Sequence, residues 1–178
     1  MKKMLLHVCC GPCSIYPVKY LRDQEFDLYG YFYNPNIHPY TEFRQRLETL
    51  EDYAKDINLQ LTIEREYQLE KYLRGVVFKE TDRCGICYQM RLEQAAIRAK
   101  EEKMDYFTTT LLVSPYQRHD TIRDIGTSLG EKYGVPFYYA DFREGYKEAT
   151  AISRELGMYR QKYCGCIFSE RDRYSRKK

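Results

Sequence analysis

The chain predicts an α/β fold: three layers, with a parallel sheet of about five strands and helices on both faces. Two observations carry this. Short apolar runs alternate along the chain with longer segments whose apolar residues recur at helical spacing. Consecutive strands are separated by helix-length connections, which build parallel pairs rather than hairpins. A third observation fixes the scale. The 178 residues contain no internal repeat, low-complexity tract or Pro/Gly linker, so a single domain over 1–178 accounts for them.

Met4–Val8 (MLLHV) reads as a buried strand. A helix follows over Cys13–Arg22, with Ile15, Val18 and Leu21 on one side. The stretch DLYGYFYNP gives a second strand, closed by Asn34-Pro35. TEFRQRLETLEDYAKDI places Phe43, Leu47, Leu50 and Ala54 on one helical face, with Thr41 as candidate cap. Leu59–Ile63 is a third strand. EREYQLEKYLRGVVFKETDRCGICYQ then holds a short helix, a break at Gly75 and a polar loop to Cys84. A helix over about Tyr88–Lys103 buries Met90, Leu92, Ala95, Ala96 and Ala99. Asp105–Thr109 is the fourth strand and Val135–Ala140 the fifth, with a helix from about Thr121 to Tyr133 between them, ended by Gly134. Two short helices flank KYCGC.

Several function classes drop out. No run approaches the roughly 18 apolar residues of a spanning helix, and mean hydropathy is -0.69. Lys2 and Lys3 followed by Met4–Val8 imitate a lipoprotein leader. The apolar run is too short for one and His7 interrupts it. The expectation is a cytoplasmic protein with no membrane partner. A net charge of +3 is too weak alone to announce nucleic acid. The tail is more basic: Arg171, Arg173, Arg176, Lys177 and Lys178 are either a solvated end or phosphate contacts.

The thiols are the distinctive feature. Seven cysteines, an odd number, cannot form a fully paired disulfide framework. They fall into three groups: Cys9, Cys10 and Cys13 at the end of the first strand; Cys84 and Cys87 in RCGICY; Cys164 and Cys166 in YCGC. A lone cysteine is usually a small buried hydrophobe, but tight grouping points to zinc, an iron–sulfur cluster or thiol–disulfide chemistry. Adjacent ligands suit one small zinc ion poorly, because neighbouring side chains diverge along a strand. A larger cluster spreads its ligand sites. Gly11-Pro12 would turn the backbone so that both thiolates point inward, and the helix that follows offers positive N-terminal potential. A bridge between Cys164 and Cys166 would close a small, strained ring, suited to relay chemistry or to a metal-ligand pair. Parallel sheets bind ligands at the carboxyl ends of their strands, where Cys9 and Cys10 fall.

LHVCCGPC, RCGICY, TTTLLVSPYQ and YCGC, in that order over nearly the whole chain, resemble the cobalamin-independent epoxyqueuosine reductase QueH family. The resemblance implies an adenine-nucleotide α-hydrolase-like fold and reduction of the epoxide of epoxyqueuosine at the wobble position of a tRNA anticodon. It implies a 4Fe–4S cluster on Cys9, Cys10, Cys84 and Cys87, and a redox-active pair at Cys164 and Cys166. Fold relatives that adenylate or thiolate RNA carry a Ser-Gly-Gly-x-Asp-Ser loop where this chain has CCGPCS, so ATP use is not expected. Removing the epoxide oxygen needs two electrons and a proton source, whereas such a cluster passes one electron at a time. The CGC dithiol or an additional mononuclear iron would complete the set, with an external electron donor to reset it. Cys13 and Asp82 remain as candidates for a second metal or for proton transfer. Asp82 and Asp141 also suit bland loop or capping roles.

Ser114, Tyr116, Gln117 and Arg118, in the loop after the fourth strand, are candidate substrate contacts, as are His38 and His119 in strand-following loops. His7 reads as a core histidine. Arg91 and Arg98 lie at helical spacing on a solvated face or an RNA track. The competing functions are a metal-free thiol–disulfide oxidoreductase and a zinc-stabilised RNA-binding module.

Overall fold

The computed structural model describes residues 1–175; Arg176, Lys177 and Lys178 of the basic tail lie outside the described residues. Four strands form one sheet: β1 Lys3–His7, β2 Asp27–Phe32, β3 Gln60–Ile63 and β4 Tyr106–Thr109. Their order is β3-β2-β1-β4 and every pairing is parallel, with Leu5 opposite both Tyr29 and Phe107. Met4, Leu5 and Leu6 are fully buried. A strand covered on both faces needs such an unbroken apolar run.

Among the described residues seven α-helices surround the sheet: α1 Gly11–Asp23, α2 Tyr40–Asp56, α3 Leu69–Val76, α4 Arg83–Glu101, α5 His119–Tyr133, α6 Tyr146–Glu155 and α7 Ile167–Tyr174. α1 packs against α2 and α6, and α4 against α5 and β1. Right-handed crossovers put α1 and α2 on one face and α4 and α5 on the other. From β1 the chain moves sideways to β2, while β4 returns on the opposite flank of β1. The crevice between the carboxyl ends of β1 and β4 is therefore the switch point of the sheet. No helix among the described residues is long and apolar enough to cross a membrane.

The expected fifth strand does not form. Val135–Ala140 meets β4 at a single bridge, Phe107 to Phe137. Phe107 donates its N–H to Pro136 O at 3.1 Å, and Tyr138 donates to Phe107 O at 2.8 Å. Pro136 has no N–H with which to extend the ladder. The Phe137 ring also seats on Gly126 of α5, where an added Cβ would lie 2.5 Å from it. The segment is thus held against the helix and still covers the outer side of β4. The outer side of β3 has no partner strand among the described residues.

Three boundaries also move. α2 is capped by Pro39, which offers no side-chain acceptor, and Thr41 lies inside the helix. α3 continues through Gly75 to Val76. α4 starts at Arg83 rather than near Tyr88, so Cys84 and Cys87 ride on its first turns.

Candidate metal centre

The first thiols arise where β1 gives way to α1. Cys10 is the N-cap of α1, extended at φ −168°, and Pro12 occupies the first turn, where a missing N–H costs nothing. The chain has left the strand pleat by this point, so Cys9 and Cys10 do not diverge. Their Sγ atoms are 3.9 Å apart. The sulfurs of Cys9, Cys10 and Cys13 all lie within 4.8 Å of one another. Thr110, just past β4, closes the crevice from the other side. Its Oγ1 accepts the Cys9 N–H at 3.1 Å and lies 3.3 Å from Cys9 Sγ. Gln161 Nε2 donates to Cys10 Sγ at 3.1 Å and Cys13 Sγ at 3.4 Å.

The protonation pattern suits a cation site. The thiols of Cys10 and Cys13 donate toward Cys9, and with Arg91 and Thr110 they hold Cys9 well below the ordinary thiol range against the effect of burial. Burial pushes Cys10 up, and donation toward Cys10 and Cys9 pushes Cys13 up. Cys9 is thus shifted toward the thiolate, with Arg91 contributing, and Cys10 and Cys13 toward the thiol; a bound cation would favour the thiolate form of each ligand.

Cys84 and Cys87 do not belong to that tight group. Cys87 is buried, packed with Tyr72 and Val76 of α3 and with Cys166. Burial pushes its thiol up to about 12, and Arg91 opposes the shift. Burial likewise raises Cys84, with Cys164 adding to the effect. What joins the middle pair to the first group is Arg91, one helical turn beyond Cys87. Its Nη1 lies 3.7 Å from Cys87 Sγ, and its charge also acts on Cys9. Arg91 is 2% exposed, so the solvated-face expectation fails for it. Arg98 is half-buried, over the Tyr31 ring and against Glu102.

The third group sits on an irregular segment held by Arg46. This side chain, also 2% exposed, donates from Nη1 to Cys164 O at 2.8 Å and from Nη2 to Tyr163 O at 2.9 Å, and pairs with Glu42 Oε1 through Nε at 2.8 Å. Gly165 takes φ +149°, and an added Cβ would meet Arg46 Nη1 at 3.2 Å. Cys164 is exposed and its Sγ accepts from Gln117 Nε2 at 3.4 Å. Cys166 is buried as the N-cap of α7, its Sγ accepting from Ser169 N at 3.3 Å. Burial disfavours its thiolate, yet Ser169 and Arg83 help to outweigh burial and the net shift is downward. All seven cysteines are free. The two sulfurs of the CGC segment face different partners instead of forming the strained bridge.

The candidate substrate loop lies beside these thiols. Gln117 bridges Cys164 and the Tyr88 hydroxyl, the latter at 2.5 Å. Arg118 donates its N–H to the same hydroxyl, and its charge acts on Cys84. Ser114 Oγ accepts from Tyr116 N, while the Tyr116 ring is exposed, edge-on to Tyr146. Asp82 is exposed and outside the thiol group, with no capping hydrogen bond from its side chain. Asp141 caps a short 3-10 turn and pairs with Arg143. His7 is a core histidine, 2.9 Å from Thr109 Oγ1 and 3.0 Å from Tyr33 O. His38 and His119 are buried rather than facing a substrate. His38 accepts from Ile167 N, and His119 lies 3.1 Å from Ser114 O.

Asn34, Arg46, Thr110 and Gln161 escaped sequence reasoning, and Arg91 was assigned the wrong environment. For Arg91 a signal existed: four residues past Cys87, it shares that thiol's helical face. Arg46 lies 118 residues from Cys164 and carries no local signal.

The donors fit a thiolate-bound group. Three soft sulfur donors lie together at a helix N-terminus, and the buried Arg91 guanidinium lies 3.7 Å from a fourth, Cys87 Sγ. The Tyr72 hydroxyl, buried beside Cys87 and Cys166, has no hydrogen-bond partner among the described residues.

Residues 4–172 match the family described as epoxyqueuosine reductase QueH. A protein of that name from Dehalococcoides mccartyi is 38% identical over 174 residues, covering 98% of this chain and 96% of its own. Another from Thermotoga maritima is 38% identical over 179 residues, covering 95% and 91%. Among solved structures, the U34-tRNA thiolase NcsA from Methanococcus maripaludis with its 4Fe–4S cluster superposes with a TM-score of 0.59 at 12% identity, covering 94% of this chain and 61% of that one. A predicted subunit of tRNA methyltransferase from Methanocaldococcus jannaschii gives 0.55 at 13% identity, covering 85% and 76%. At such identities the likeness is one of fold alone, a parallel α/β sheet wrapped by helices.

Proposed function

The chain belongs to the epoxyqueuosine reductase QueH family, and from that premise we propose that it reduces epoxyqueuosine to queuosine in tRNA, with Cys9, Cys10, Cys84 and Cys87 holding a 4Fe–4S cluster. The observation that carries the ligand set is Arg91, whose guanidinium serves thiols of both the first and the middle group. When bound, the cluster supplies electrons singly at low potential. The protein's residues do the rest.

The reaction takes two electrons and two protons, breaks both bonds to the epoxide oxygen, and leaves an alkene and water. Cys13 Sγ is partly exposed beside Cys9 and Cys10 and lies outside the four-thiol ligand set, so it suits proton delivery to the departing oxygen. Cys164 and Cys166 form a dithiol that would give up two electrons on becoming a disulfide. Cys166, with its depressed pKa, is the better nucleophile for that exchange. An external donor must reset the pair. An additional iron on Cys13 is the alternative second element, with the exposed carboxylate of Asp82 as candidate co-ligand or proton carrier. Gln117 and Arg118 line the approach to Cys164 and Cys84, and the exposed Tyr116 ring offers a stacking face for a splayed-out base. Ser114 shapes the loop.

Protein reconstituted without oxygen should bind four irons and convert epoxyqueuosine-containing tRNA. The double variant Cys84→Ala/Cys87→Ala should lose both iron and turnover. Full iron content in that variant would overturn the ligand set, and a loaded wild type inert on this tRNA would overturn the substrate.

A further inference from the structure

We propose that Arg91 is the fixed counter-charge of the thiolate-bound cofactor, a positioning residue that sets how easily the centre accepts an electron. The inference rests on the cluster reading above and concerns a residue outside the ligand set.

A guanidinium removed from water needs compensation, and a carboxylate is the usual partner. Arg46 follows this rule with Glu42. Arg91 does not. Its hydrogen-bond partners among the described residues are Asn34 Oδ1, reached by Nε at 3.1 Å and Nη2 at 2.9 Å, and Cys87 Sγ at 3.7 Å. Asn34 is neutral, and its Nδ2 is committed to Val8 O at 2.9 Å. The amide thus orients the guanidinium without cancelling its charge. Its charge also acts on Cys9 and Cys164, and burial, with Arg91 adding to it, holds the His7 pKa down to about 3. Among the described residues Arg91 thus has no carboxylate partner, and sulfurs of three segments, Cys9, Cys87 and Cys164, feel its charge.

Each ligand thiolate brings a negative charge that an iron–sulfur core offsets only in part, and reduction adds another. Net charge and hydrogen bonds to the sulfurs set the potential of such centres. A buried cation bonded to one ligand sulfur and acting on a second stabilises the reduced state more than the oxidised one. The same charge attracts the ligands in thiolate form, which favours loading.

The test is the reduction midpoint of the reconstituted cluster. Arg91→Gln should make reduction about tenfold less favourable, about 59 mV for a one-electron couple. Arg91→Lys, which keeps the charge, should shift it less. Asn34→Asp leaves Arg91 in place and neutralises it, and should shift the midpoint in the same negative direction. Arg98→Gln, half-buried over the Tyr31 ring and paired with Glu102 instead of a thiol, should leave it unchanged. An Arg91→Gln cluster at the wild-type midpoint overturns the proposal, as do equal shifts in the Gln and Lys variants. Should Arg91→Gln fail to load, the Asn34→Asp midpoint decides, and an unshifted value there overturns it. A wild type that takes up no cluster sinks the cluster reading itself, and does so before any substitution is made.

Discussion

Arg46→Met removes the side chain that ties α2 to the CGC segment. The guanidinium is 2% exposed and makes charge-assisted bonds to Glu42, Cys164 O and Tyr163 O, all between 2.8 and 2.9 Å. Each such bond contributes about 1.5–3 kcal/mol. Their simple sum overshoots, because Met restores apolar packing and the two carbonyls can turn toward water. Removing one partner of a buried pair costs about 3–5 kcal/mol. Glu42 softens this slightly, since the Tyr159 hydroxyl still donates to it. We expect about 4 kcal/mol of destabilisation in urea unfolding, or roughly 8–16 °C in Tm for a chain of this size. Amide exchange provides the local readout. His38 N–H is bonded to Gly165 O at 2.8 Å, so its protection should fall with the anchoring of the CGC segment. Glu42→Gln keeps an acceptor for Arg46 and should cost less than half as much. A loss under 1 kcal/mol for Arg46→Met, with His38 protection unchanged, would refute the reasoning.

Two further outcomes can be read on stability alone. Asp141 is held at a pKa of about 2 by Arg143, so its contribution is complete above the ordinary carboxylate range and fades as pH falls from about 4 toward 2. The pair is nearly half exposed, so Asp141→Asn should flatten the acid limb of the stability–pH curve by less than about 1 kcal/mol; an unaltered limb would count against it. Phe78 is 94% exposed yet sits at φ +64°, where a bulky residue costs about 1–2 kcal/mol. Phe78→Asn, which tolerates that conformation, should raise stability by about 0.5–1 kcal/mol in denaturant melts, and a decrease would show that the ring has a partner in solution.

The sequence made some levels of this molecule plain and hid others. Central strands bury both faces, so MLLHV announced β1 without help from its partners. Val135–Ala140 carries the same apolar signature, but its fate was decided by Pro136 and by a ring seated on Gly126, and the second of these is a tertiary fact. The thiol groups were visible because their spacing is local. The place of the first group was inferable from the strand-end rule, since Cys9 and Thr110 follow adjacent strands. The two buried arginines were not. A long cationic side chain defaults to the surface, and only a distant carbonyl or an amide such as Asn34 reverses that preference.

The sheet has one flank sealed and one bare. Val135–Ala140 shields β4, whereas β3 has no partner strand on its outer side among the described residues. Bare flanks invite strand-to-strand adhesion between molecules. With one such border among the described residues, adhesion of this kind would close on itself as a two-fold pair rather than grow into a fibril.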